Sequence, residues 1–368
     1  YGDNAAAGNP SGVNRVEVQL QRKSDNWYWD GGAWVGTQPD NWVDVTLDGS
    51  GGWTWTSPAF GAGDNGVSFN LLTRACDNTG TLATTDCDLG AKDSNYENTF
   101  TVTVNSITFI VDTANPASAV TTPNAAYVNA LPSVAGTASD NDQVAKSQLM
   151  IAYETGAGPT CHTGTPDASC RYWRHSDSSW VAASTYNFTT TQGVAWSYTV
   201  PGAMALTDAE EYWFIPRMTD AAGNAAYGTP RSAVFDVSWP TAAVTSPAAG
   251  TFKRSLSSIG GTALDDAPGL IDSGDPARVY IKQLDTGLYW NQGTSLFDTS
   301  DLTVRWGTAT YSAPNWTYQT NALAGKLTDG KQYELRGRAK DSAGNRTGQT
   351  SPGASASAPG GTALTFTW

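Results

Sequence analysis

Short alternating runs set the pattern of this chain. "VNRVEVQLQR" (Val13–Arg22) and "ARVYIKQLD" (Ala277–Asp285) alternate apolar and polar residues with period two, as a half-buried strand does. "ITFIVD" (Ile107–Asp112), "AVFDV" (Ala233–Val237) and "ALTFTW" (Ala363–Trp368) alternate in the same way. No stretch combines helical periodicity with helix formers over three turns. The pattern predicts an all-β protein of short strands punctuated by turns.

The runs recur in a fixed order. "NWYWDGGAW" (Asn26–Trp34), "RYWRHSDSSW" (Arg171–Trp180) and "LYWNQGTSLF" (Leu288–Phe297) are Trp-rich hairpins. Each is followed by "WTW" (Trp53–Trp55), "AWSYTV" (Ala195–Val200) or "NWTYQT" (Asn315–Thr320). Next come "GDNGVSFNLLTRA" (Gly63–Ala75), "LTDAEEYWFIPRM" (Leu206–Met218) and "LTDGKQYELRGRA" (Leu327–Ala339). The blocks "TDAAGN" (Thr219–Asn224) and "KDSAGN" (Lys340–Asn345) close the series, with "CDNTG" (Cys76–Gly80) as a weaker version. The period is about 120 to 145 residues, so the chain reads as three tandem repeats of some seven strands each. The expected domains are 1–113, 114–238 and 239–368.

The Leu-Thr-Asp-x-x-x-Tyr element looks like the corner that opens strand F of an immunoglobulin sandwich, where a Tyr hydroxyl bonds back to the backbone. Tyr212 and Tyr333 are those tyrosines; Phe69 stands in the first repeat and has no hydroxyl. With the Asp-x-Ala-Gly-Asn blocks and the linkers "VDTANP" (Val111–Pro116) and "FDVSWP" (Phe235–Pro240), the chain resembles the bacterial Ig-like repeats of large extracellular surface and adhesin proteins. The resemblance covers the full length. It implies three tandem immunoglobulin-like β-sandwiches in an elongated array.

The first repeat differs from its sisters. Repeats two and three carry two strands, A and B, before the acidic turn at Asp140 or Asp265, whereas Tyr1 aligns with that turn. The first sandwich is therefore expected to lack strands A and B. Three explanations stand side by side: a piece of a longer tandem array, strands supplied by another subunit through donor-strand complementation, or a smaller, divergent sandwich.

Composition narrows the partners. The 368 residues carry a net charge of −13 with only 15% charged residues, which argues against nucleic acid and favours divalent cations. No run of about 18 apolar residues exists to cross a membrane, so no membrane insertion is expected. The four cysteines fall in two local pairs, Cys76 with Cys87 and Cys161 with Cys170, wider than zinc spacing. Two disulfides are expected, and with them an extracellular or cell-surface location.

Two histidines, His162 and His175, lack a nucleophile context, and no Walker loop or dinucleotide fingerprint is present. The expectation is no enzyme. The acidic turns carry more chemistry. In an Ig sandwich the incoming linker and the BC and FG loops meet at one pole. In repeat two these bring Asp112, Asp140, Asp142, Asp220 and Asn224; in repeat three Asp236, Asp265, Asp266, Asp341 and Asn345. Carboxylates so gathered repel unless a hard cation sits among them, and calcium takes six to eight oxygens from such sources. The adhesin resemblance implies calcium at the joints too; the competing reading is that the Asp residues cap turns. The hairpin residues Trp29, Trp173 and Trp290 either stack on sugars or pack inside. The sequence thus points to an extracellular structural protein, a segment or subunit of a surface fibre built head-to-tail with itself as partner. The alternative is a surface adhesin whose exposed aromatic loops bind glycans.

Overall fold

The computed structural model describes residues 13–36, 42–77, 101–102, 104–155, 161–163, 167–185, 187–188, 195–301, 305–323, 325–349 and 360–368. Apart from two 3-10 turns, every regular element among them is a strand. The chain forms two compact units. One comprises Tyr1–Pro116 with the turns Asp140–Gln143 and Thr219–Ala225; the other comprises Ala117–Ser139, Val144–Met218 and Ala226–Trp368.

The first unit contains β1 (Val13–Arg22), β2 (Trp27–Trp29), β3 (Trp34–Val35), β4 (Val43–Asp44), β5 (Thr46–Leu47), β6 (Trp53–Thr54), β7 (Ser68–Asp77) and β8 (Ser106–Ile110). Its main sheet runs β3-β2-β1-β7-β8, with β4 also on β1, while β5 and β6 make a separate pair. Val16, Val18 and Leu20 of β1 are buried, as the alternation requires. The intervening Glu17 and Gln19 are buried as well, so β1 is not half-buried but covered on both faces. Glu17 tolerates this because Arg74, across the β1–β7 ladder, pairs with it at 2.6 Å. The Arg74 guanidinium in turn lies 4.2 Å from the ring of Trp42.

The second unit holds two sandwiches. The first has β9 (Ala117–Thr122), β10 (Tyr127–Val128), β11 (Ser133–Ser139), β12 (Val144–Glu154), β13 (Cys170–Arg174), β14 (Ser179–Val181), β15 (Asn187–Phe188), β16 (Ala195–Thr199), β17 (Glu210–Asp220), β18 (Ala225–Tyr227) and β19 (Arg231–Phe235). One sheet runs β10-β19-β17-β12-β13-β14 and the other β16-β11-β9. The second sandwich has β20 (Thr241–Ser246), β21 (Ser258–Leu264), β22 (Ala277–Gln283), β23 (Tyr289–Asn291), β24 (Leu296–Thr299), β25 (Gly307–Thr308), β26 (Thr310–Ser312), β27 (Asn315–Gln319), β28 (Gln332–Ala339) and β29 (Leu364–Thr367). Its sheets run β24-β23-β22-β28-β29 and β20-β21-β27-β26. No described strand of one sandwich pairs with a strand of another. The chain is thus an all-β array of immunoglobulin-like sandwiches.

The two complete sandwiches are built alike because their sequences put the same side chains at the same joints. Tyr212 and Tyr333 are buried, and their hydroxyls accept the backbone N–H of Thr207 at 2.8 Å and of Thr328 at 2.9 Å, closing the corner expected of strand F. Trp196 and Trp316 are buried, and each indole N–H donates to a backbone carbonyl of the neighbouring strand, Thr137 at 3.2 Å and Thr262 at 3.0 Å. That strand must approach closely. A Cβ on Gly136 or Gly261 would lie 2.3 Å from the indole, which only glycine avoids.

Trp173 and Trp290, the hairpin tryptophans, are core residues, 1% and 2% exposed. Their indole N–H groups donate to the hydroxyls of Tyr198 and Tyr318, at 3.2 and 3.1 Å. They offer no face to a sugar; Trp29, in the first unit, is half-buried. Cys161 and Cys170 form a buried disulfide. Cys76 is also disulfide-bonded, and Cys87 lies outside the described residues.

In the first unit, β1, β2, β3, β7 and β8 correspond by order and register to β22, β23, β24, β28 and β29, and β5 and β6 to β26 and β27. No described strand of the unit corresponds to β9, β10 or β11. Among the described residues its core cluster holds Leu20, Phe69 and Val111, backed by half-buried aromatics such as Phe60 and Phe109.

Candidate metal centres

Two aspartate triads stand out among the described residues, one in each unit. Asp112, Asp140 and Asp220 bring carboxylate oxygens within 4.8 Å of one another, and Asp236, Asp265 and Asp341 do the same. Each triad takes one residue from the linker after a closing strand, one from the turn after β11 or β21, and one from the end of β17 or β28.

The Asp-x-Ala-Gly-Asn block shapes the third position. In the first triad one Asp220 oxygen accepts the N–H groups of Gly223 and Asn224, at 2.7 and 2.8 Å. Gly223 has φ +101° and Gly344 φ +100°, a left-handed conformation that favours glycine. The Asn224 side-chain amide donates to the second Asp220 oxygen at 2.9 Å and to the backbone carbonyl of Asp112 at 3.1 Å. In the second triad Asp341 accepts the Asn345 N–H at 2.7 Å, and the Asn345 amide donates to the carbonyl of Asp236 at 2.9 Å. The amide oxygen of Asn345 accepts from Asn129 at 3.0 Å. Asn224 and Asn345 are therefore clamps that tie the linker to the turn.

The remaining predicted residues fall outside the triads. Asp142 contributes its backbone N–H to Asp140 at 2.9 Å, and Asp266 its backbone N–H to Asp265 at 3.2 Å; both side chains are exposed. Sequence reasoning passed over two further linker grips. Asn65 accepts the N–H groups of Thr113 and Ala114, at 2.9 and 3.1 Å. Asp208 accepts the N–H of Val237 at 2.7 Å and the hydroxyl of Ser238 at 2.6 Å. Their signal was their shared place, four residues before the corner Phe69 or Tyr212.

The triads are electrostatically incomplete. Asp112 Oδ2 and Asp140 Oδ1 are buried without a hydrogen-bond partner, and so are Asp236 Oδ2, Asp265 Oδ2 and Asp341 Oδ2. Asp236 is 3% exposed and Asp341 is fully buried. Burial, followed by the neighbouring charges of Asp341 and Asp208, pushes the Asp236 carboxyl up to about 6. Burial, then Asp341 and Asp236, pushes Asp265 up to about 7, and burial raises Asp341. Two buried carboxylates and a half-buried one, each with a buried orphaned oxygen and with no cationic side chain in the set, suit a hard, oxygen-seeking divalent ion.

No protein-family model matches the chain, and no curated protein matches it. Solved structures overlap it weakly. The fibronectin(III)-like modules of Clostridium thermocellum CbhA align over 68% of this chain and 91% of theirs, with 12% identity and a TM-score of 0.31. A structure concerned with host cell surface retention of a 1.5-MDa bacterial ice-binding adhesin aligns over 96% and 87%, with 13% identity and a TM-score of 0.28. The FN1–FN3 domains of chicken CNTN1 align over 92% and 86%, with 9% identity and a TM-score of 0.27. No helix among the described residues is long and apolar enough to cross a membrane.

Proposed function

We propose that this chain is an extracellular structural protein: tandem Ig-like repeats of a surface fibre or adhesin stalk, associating head-to-tail and locked at its linkers by calcium. The observation that carries the reading is the repeated triad. In both places a linker aspartate is drawn to two turn aspartates, its carbonyl is held by an asparagine amide, and buried carboxylate oxygens lack partners. A turn-capping role accounts for both oxygens of Asp220 but leaves unexplained the orphaned oxygens of Asp112, Asp140, Asp236, Asp265 and Asp341.

Asp112, Asp140 and Asp220 would hold one ion, and Asp236, Asp265 and Asp341 the other. The ion would supply the positive charge that the set lacks and complete its shell with water or carbonyl oxygens. The protein's own part is preorganisation. Asn224, Asn345, Asn65 and Asp208 fix the linker backbone so that loading the site costs little ordering entropy.

Calorimetric titration of the full chain with calcium tests this. The expected result is binding at two sites and a higher unfolding temperature in calcium than in chelator. No heat and no change in unfolding would return the aspartates to turn capping. Electron microscopy of the calcium-loaded protein tests association: single particles at every concentration would remove the fibre.

A further inference from the structure

The three repeats put different chemistry at one register position. In the first unit Glu17 of β1 stands opposite Arg74 of β7, a carboxylate beside a guanidinium. In the last sandwich the corresponding pair is Arg278 of β22 opposite Arg338 of β28, two guanidiniums. The surroundings are otherwise alike. Arg74 and Arg338 each lie five residues after the corner residue, Phe69 or Tyr333. Arg74 lies 4.2 Å from the ring of Trp42 and Arg338 4.4 Å from that of Trp306. Each tryptophan immediately precedes the short strand, β4 or β25, that pairs with Glu17 or Arg278. In the middle sandwich the outward residues of the equivalent strands are Met150, Ala152, Trp213 and Ile215, and Cys161 and Cys170 pack onto them. There residues 155–169 join the two strands, whereas in the last sandwich residues 284–288 suffice.

Cations gather on this outer face of the last sandwich. Arg278, Lys282, Arg336 and Arg338 alternate with the core residues Val279, Ile281 and Leu335. Arg305 joins them, 5.0, 5.1 and 5.2 Å from the rings of Tyr280, Tyr289 and Trp306. Asp275 is shared between Arg278, at 2.6 Å, and Arg346, at 3.4 Å. Glu334 accepts from the Tyr280 hydroxyl and from Arg336 at 3.1 Å. The stretches of 239–368 outside the described residues contain no Asp or Glu. Burial, then Arg346 and Arg278, pushes the Arg338 guanidinium down to about 9 against the pull of Asp275. Like charges directly opposite each other on a ladder destabilise it, so the free protein holds a repulsion that an anion relieves.

Charge and shape narrow the anion. Residues 239–368 hold 11 of the 21 Lys and Arg and 10 of the 34 Asp and Glu, so the net negative charge lies in residues 1–238. A densely charged nucleic acid is repelled by that remainder; a polymer with sparse anions, met at short range, is repelled less. The cations are mostly arginines laid against aromatic rings, planar forks that match carboxylate and sulfate groups two bonds at a time. From Arg278 to Lys282 the strip runs about 13 Å along the strand, a length suited to a linear polymer rather than a single ion.

We propose that this face binds an acidic polysaccharide, whose carboxylate or sulfate groups are taken by the half-exposed Arg278, Lys282, Arg336 and Arg346 above the buried Arg305 and Arg338. The proposal goes beyond the stalk reading, and neither calcium nor head-to-tail assembly enters it.

Binding of the full chain to immobilised heparin, hyaluronan and neutral dextran tests it, with polyglutamate and oligothymidine as soluble competitors. Heparin is rich in sulfate and hyaluronan carries carboxylates alone, so the two arms tell which group is taken. The expected result is saturable binding to at least one acidic polysaccharide and none to dextran. Arg278→Glu recreates the Glu–Arg pair of the first unit, so it should unfold no earlier than the parent and bind at least tenfold more weakly. Lys282→Gln, at the other end of the strip, leaves the cross-strand pair untouched and should weaken binding several-fold. Failure to bind either acidic polysaccharide overturns the proposal, as does binding to dextran or undiminished binding by either variant. Polyglutamate or oligothymidine competing as strongly as the free polysaccharide at equal charge also overturns it, because charge alone would then account for the attraction.

Discussion

The second triad makes an unusual demand of a conservative substitution: Asp265→Asn should stabilise the calcium-free protein and destabilise the loaded one. In the absence of an ion the Asp265 carboxyl titrates near 7 in the fold, against 3.8 when solvated. The folded state therefore holds its proton more tightly than the unfolded state. That stabilisation is fully present below about pH 4 and is lost as pH rises through 7. Three pKa units correspond to about 4 kcal/mol for an isolated group. Asp265 is only half-buried and shares its titration with Asp236 and Asp341, so roughly 2–4 kcal/mol is the working figure. Asparagine keeps the oxygen that accepts the Asp266 N–H and removes the charge. In chelator at pH 8 the variant should melt higher than the parent, by on the order of 10 °C for the sandwich concerned, and the gap should close by pH 4. In calcium the order should invert, because one of three carboxylates is gone. An ion at a thousand times its dissociation constant contributes about 4.1 kcal/mol, enough to reverse the ranking across that range. Scanning calorimetry at pH 4, 6 and 8, with calcium and with chelator, gives all six numbers. If the variant is the less stable protein in chelator at pH 8, the like-charge argument is wrong.

Two further outcomes follow from the packing. Tyr333→Phe removes the hydroxyl that accepts the Thr328 N–H and should cost about 1–2 kcal/mol in urea unfolding; an unchanged midpoint would deny the corner a stabilising role. Gly261→Ala places a Cβ 2.0 Å from the Ala243 carbonyl oxygen and 2.3 Å from Trp316, so about 3 kcal/mol or more should be lost; a shift under 1 kcal/mol would mean that the β20 backbone and the Trp316 indole give way more readily than the structure implies.

What was legible in the sequence is what depends on local period. The alternation of Ala277–Asp285 announced a strand, and Tyr212 and Tyr333 announced their corner, because side-chain direction along a strand is fixed by the count of residues. What depends on a distant partner was not legible. Glu17 reads as the solvent side of an alternating run until Arg74, 57 residues away, is laid beside it. Trp173 and Trp290 sit next to polar turns in sequence, and only the tyrosine hydroxyls of a strand in the opposite sheet reveal them as core. The acidic turns show the same limit at finer scale. Asp140 and Asp142 are equal candidates by composition, as are Asp265 and Asp266. In each pair the turn directs one carboxylate inward and gives the other's backbone N–H to it as support.

The asparagine of the Ala-Gly-Asn block carries this furthest. Its oxygen made it a candidate ligand, but in both turns its nitrogen is the working atom, donating to the linker carbonyl of Asp112 or Asp236. An aspartate at that place would keep the ligand chemistry and lose the donor. Two adjoining acceptors, carbonyl and carboxylate, would then push the linker away from the triad it has to join. The residue type thus follows from holding the backbone in place, and the negative charge stays concentrated on the three carboxylates that converge.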